Sequence, residues 1–142
     1  MSDTWLSDDA FVRAFETCEL PVEQFHHRDH LRLAWIYLHR YGRTDAGAYI
    51  AESIQRFAAH LGKPNLYHET ITQAWLHLTA YAAGLAGGGG FEDALAAYPS
   101  LLEKELLGKF YSPALLASAE ARRDFAPPDI GPLPVLPRQR SI

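Results

Sequence analysis

Apolar residues recur along this chain at spacings of three and four, and almost nowhere do they alternate singly with polar ones, a period that belongs to helices rather than strands. Ser7 reads as a helix N-cap, with Asp8 and Asp9 in the first turn and Leu6 placed to contact Phe11, and that helix should run to about Cys18 before Pro21. The next pattern spans about His27 to Tyr41, carried by Leu31, Ala34, Trp35 and Leu38 and closed by Gly42. Thr44 or Asp45 then caps a third helix, whose stripe is Tyr49, Ile50, Ile54, Phe57 and Leu61, with Gly62 as its stop. Tyr67 to Ala83 reads as a fourth, with Ile71, Trp75, Leu78 and Ala82 on one face.

The run Gly84 to Gly90 predicts a flexible loop, since neither a strand before it nor a Gly-Lys-Ser/Thr after it supports a phosphate cradle. Phe91 to Ala97 and Leu101 to Phe110 read as two shorter helices parted by Pro99, the second capped by Ser100. Ser112 and Pro113 fit the cap and first position of a last helix with Leu115, Leu116, Ala119 and Phe125 inside. From Pro127 onward five prolines in eleven residues predict an extended tail. Its apolar Ile130, Leu133, Val135 and Leu136 favour wrapping of the first half, with Arg138 to Ile142 mobile. The expectation is an all-α protein: a compact bundle of five to seven helices over residues 1–126 with a Pro-rich extended tail over 127–142.

With 142 residues, 48% of them hydrophobic, one core and one domain are expected. The net charge of −4 is dispersed and the thirteen Lys and Arg form no run, which argues against nucleic acid as a partner. Cys18 is the lone cysteine, so an intrachain disulfide and a multi-cysteine zinc site are excluded and a reducing cytoplasm fits. The N-terminal residues lack the pattern of a signal peptide, and no apolar stretch is long enough to span a membrane.

Chemistry concentrates in the histidines. Three of seven fall in Phe25-His26-His27-Arg28-Asp29-His30, where His27 and His30, three apart, share a helix face bordered by Ala34 and Tyr37 while His26 points elsewhere. His39 falls on the opposite side. A second group, Tyr67-His68-Glu69-Thr70, opens the fourth helix, where the positive dipole end favours a carboxylate and His68 lies in line with Thr72 and Trp75; His77 lies opposite. If the two helix starts meet, His27, His30, His68 and Glu69 form an N/O donor set suited to a divalent transition metal such as zinc, iron, nickel or manganese. The same residues without metal make an acid–base site, with His68 and Glu69 as the catalytic pair. The plain alternative is that the histidines are buried and hydrogen-bonded and Glu69 is a first-turn carboxylate.

The segments Phe25-x-His27-x-x-His30-Leu31-x-x-Ala34-Trp35, Tyr67-His68-Glu69-Thr70-Ile71-Thr72, and Tyr111-Ser112-x-x-Leu115-Leu116 followed by Ala121-Arg122 and Pro128-Asp129 resemble a group of uncharacterised bacterial helical proteins with no assigned reaction. The resemblance implies that these positions belong together and says nothing of substrate. It brings forward Ser112 and Arg122, which join Tyr37 and Trp75 as substrate-binding candidates. Two functions follow as expectations. One is a small metal-dependent or acid–base enzyme acting on a small organic molecule; the other is a non-catalytic small-molecule-binding or homodimerisation module with structural histidines.

Overall fold

The computed structural model describes residues 6–136, and among them every regular element is helical. These are α1 (Asp8–Glu16), α2 (His27–His60), α3 (Glu69–Ala86), α4 (Phe91–Ala97), α5 (Pro113–Ala117) and α6 (Ala119–Arg123), joined by 3-10 turns at Val22–Gln24, Pro64–Leu66, Pro99–Leu102 and Lys104–Lys109. The all-α helix-bundle class expected from the periodicity holds. No helix is long and apolar enough to cross a membrane among the described residues. The chain forms two units, Met1–His68 and Glu69–Ile142.

In the first unit Ser7 caps α1, its Oγ accepting from Ala10 N at 3.1 Å. The C-terminus of α1 closes in a Schellman motif, Glu19 N–H to Ala14 O at 2.8 Å and Cys18 N–H to Phe15 O at 3.0 Å, which places Cys18 at φ 64 where glycine is usual. Phe11, Val12 and Phe15 of α1 are buried with Leu31, Leu33, Ala34, Ile36 and Tyr37 of α2. Arg32 secures the start of α1: its guanidinium lies 4.5 Å over the Phe11 ring and donates to Asp8 Oδ1 at 3.0 Å and Leu6 O at 2.7 Å.

Gly42, expected to end a helix, instead interrupts α2 with φ 83 and ψ 166, and helical backbone resumes without using Thr44 or Asp45 as a cap. Sixteen residues of straight helix would separate Tyr37 from Ser53 by roughly 24 Å. Their hydroxyls are 2.7 Å apart, so the backbone of Gly42 turns α2 back on itself into an antiparallel hairpin. The buried line of the returning arm is Ala46, Ile50, Ser53 and Phe57, whereas Tyr49, expected inside, is 45% exposed and stacks on Tyr41 at 4.0 Å.

In the second unit α3 packs on α4 and α6. α3 extends past the expected end at Ala83, through Gly84 to Ala86, so the glycine loop starts at Gly87, where Gly87, Gly88 and Gly89 all take positive φ. Asp93 Oδ2 accepts from Gly90 N at 2.8 Å and so starts α4. The helix expected over Leu101 to Phe110 is two 3-10 turns, and Ser100 caps neither. Ser112 and Pro113 open α5 as expected, but Ser118 breaks that helix at ψ 149 and its Oγ caps α6 by accepting from Ala121 N at 3.1 Å. Consequently Ala121, not Ala119 or Phe125, is the buried residue there; Phe125 is 47% exposed.

The chain beyond α6 lies along one stripe of α3. Thr70 Oγ1 donates to Ala121 O at 2.7 Å, sits 2.9 Å from Asp124 O, and accepts from Ala126 N at 2.9 Å. Seven residues on, His77 Nε2 donates to Pro134 O at 2.7 Å. Seven further, Gly84 leaves space that Leu136 fills, for a Cβ there would stand 2.2 Å from Leu136 Cδ1. Ile130 N donates back to Phe110 O at 2.9 Å. The mobile end expected at Arg138 to Ile142 lies outside the described residues.

Candidate functional site

The first turn of α2 carries the His27/His30 pair, and a buried acid holds it in shape. Asp29, 3% exposed, accepts through Oδ2 from His26 N at 2.9 Å and lies 3.3 Å from His26 Nδ1, while His30 N donates to His26 O at 3.0 Å. The side chain at N3 thus reaches back to the N-cap backbone, the reciprocal half of a capping box with Asp in place of Glu. Sequence reasoning passed over Asp29, although its position three after His26 was the available signal.

His30 faces inward. Its ring stacks with Phe25 at 6.1 Å, and Phe25 belongs to a cluster with Phe15 (4.7 Å) and Phe57 (5.7 Å) that draws on α1 and on the far arm of the α2 hairpin. In this apolar setting His30 Nε2 is buried with no hydrogen-bond partner. Burial, and secondarily the neighbouring His27, push the His30 pKa down to about 4. Such a shift favours the neutral form of the imidazole at physiological pH.

His27, half-buried, shares the first turn of α2 with His30 and is the neighbour whose electrostatic effect adds to that shift. His68 is 7% exposed at the end of the first unit, and Glu69 is the half-buried first residue of α3. Among the described residues no group of three or more His, Cys, Asp or Glu is placed to hold a metal ion.

The substrate-binding candidates fall in varied places. Tyr37 is fully buried, and its hydroxyl donates to Glu16 Oε2 and bonds with Ser53 Oγ. Burial first, then the bond to Glu16, raise its pKa. Trp75 is 4% exposed within α3. Ser112 acts as a cap: its Oγ accepts from Leu115 N at 3.1 Å and donates to Asp129 Oδ2 at 2.6 Å, and its N–H reaches Asp129 Oδ1 at 2.8 Å. Arg122 is exposed on α6.

Of the histidines set aside, His26 and His39 are exposed, the His39 ring tilted against Trp35 at 4.0 Å, whereas His77 secures the segment around Pro134 on α3. Cys18, half-buried, lies 3.8 Å from Arg56 O. Compared with protein-family models, curated proteins and solved structures, the chain matches none.

Proposed function

We propose that the first unit binds a small organic molecule at the start of α2, with neutral His30 as the buried polar contact and Phe25 as the face on which an aromatic part stacks. The observation that carries this reading is the partnerless Nε2 of His30. A buried nitrogen left without a partner costs about 1–3 kcal/mol, and such groups concentrate where something else completes the bond. A ligand offering one polar atom beside an aromatic ring meets both requirements, as in apolar pockets with few convergent polar groups.

On this reading an acid–base enzyme needs its mobile proton on a group other than His30, and His68 with Glu69 remains the pair to which that role falls. A metal-dependent enzyme uses the same Nε2 as a ligand nitrogen and recruits further donors. The histidine-selective 15N spectrum of the full chain, titrated with phenol, benzamide and Zn2+, tests the reading. Saturable movement of the His30 ring nitrogens with phenol or benzamide, lost in His30→Leu, supports it. Response to Zn2+ alone transfers the proposal to metal binding, and silence to all three overturns it.

A further inference from the structure

The α1 face of the first unit holds a second constellation, separate from the His30 turn. A cavity of about 250 Å3 is lined by Asp9, Val12, Arg13, Glu16 and Thr17 of α1 and by Arg40 of α2. Asp9, Arg13 and Glu16 recur at four and three residues and so share one stripe of the helix. Arg40 pairs with Asp9 and closes one end.

Glu16 closes the other end in an unusual position. It is the last residue of α1, where the negative end of the helix dipole disfavours a carboxylate. A long acidic side chain there would ordinarily swing into water. Here the wholly buried Tyr37 hydroxyl, itself bonded to Ser53, grips Oε2 and fixes the carboxylate at the cavity wall. Among the described residues Oε1 keeps no partner, and neither does the Arg13 guanidinium one turn away; the two do not pair with each other. A fixed anion and an open cation thus line one small space over the apolar Val12.

We propose that this cleft binds a small zwitterion of amino-acid size, its ammonium on Glu16 Oε1 and its carboxylate on Arg13. The volume sits below the roughly 300–1,000 Å3 of sites for drug-sized ligands, which suits so small a molecule. Arg is the side chain whose fork matches a carboxylate, and Glu16, pre-oriented by Tyr37, gives up little freedom on binding. Tyr37 is a positioning residue for Glu16 and does not itself touch the ligand.

The test is an amide-detected NMR titration of the 15N-labelled full chain with glycine, β-alanine and γ-aminobutyrate, which increase the separation of the two charges, alongside propylamine and propionate. The expected result is saturable shifts at Arg13, Glu16 and Thr17 with at least one zwitterion, at least tenfold tighter than with either half-probe. Arg13→Gln and Glu16→Gln should each weaken that binding about tenfold or more. Glu16→Gln keeps an acceptor for Tyr37, and Arg13 is exposed, so Arg13→Gln reads the site even if the Glu16 variant folds poorly. No saturation with any zwitterion, or equal binding of a half-probe, overturns the proposal.

Discussion

Replacing His30 with Leu removes the buried nitrogen while conserving the volume of the ring approximately. Relief of an unsatisfied buried polar atom is worth about 1–3 kcal/mol. Repacking of a similar-sized apolar residue takes back up to about 1.5 kcal/mol. The ligand-free variant should therefore lie between about 0.5 kcal/mol below and about 3 kcal/mol above the parent at pH 7.5. The pH dependence sharpens the argument. Folded His30, with its pKa pushed down to about 4 from 6.5, binds its proton later than the unfolded chain as pH falls. Its contribution to stability is thus complete above about pH 6.5 and is lost progressively toward pH 4. At pH 5 that loss is at most about 2 kcal/mol. Urea denaturation of parent and variant at pH 7.5 and pH 5 should show the gap between them widening at the lower pH, every other titrating group being common to both. A gap that stays constant, or a variant less stable by more than about 1.5 kcal/mol at pH 7.5, would mean that Nε2 has a partner in the folded protein.

Other expectations rest on single positions. Gly42→Ala puts a side chain at φ 83, ψ 166, a region reserved almost wholly to glycine, and should lower unfolding free energy by about 1–3 kcal/mol. Cys18→Gly should raise stability by up to about 1 kcal/mol in the same assay, since φ 64 strains any residue with a Cβ. Thr70→Val strands the Ala126 N–H and the carbonyls around it and should cost about 1–3 kcal/mol, with faster amide exchange at Ala126. Ser112→Ala should cost about 1 kcal/mol through the lost cap. It should also let the Asp129 carboxyl, held below the ordinary range first by the Ser112 hydroxyl and then by its N–H, return upward in an NMR titration.

What the sequence made legible was local. Ser7, Ser112 and Pro113 declare helix starts because a cap needs only its own turn, and Gly42 declares a break because only glycine takes that backbone readily. It did not declare the direction of the break; hairpin closure depends on Tyr37 meeting Ser53 and Glu16, pairings set by tertiary packing. Gly84 misled because one glycine joined to a glycine run reads as loop, whereas Leu136, 52 residues later, makes it the residue the helix needs. Ser100 and Ser118 show the same limit: both can cap, and the chain beyond decides which does. At the candidate site the placement of His27 and His30 on one helix turn was legible from spacing, but the lowered pKa of His30 was not, because it arises first from burial, which tertiary packing sets.

The three footholds on α3 also divide the tail by how much spare length it has. One interval of seven residues on a helix rises roughly 10.5 Å. From Ala126 to Pro134 the tail has ample length for that rise, about 26 Å fully extended, and on the way Ile130 N bonds to Phe110 O. Pro134 and Leu136 are only two positions apart, about 7 Å of backbone, so the His77 and Leu136 side chains span the remainder. Extra residues spliced in near Ile130 would be absorbed, whereas a single deletion between Pro134 and Leu136 would unseat one end or the other.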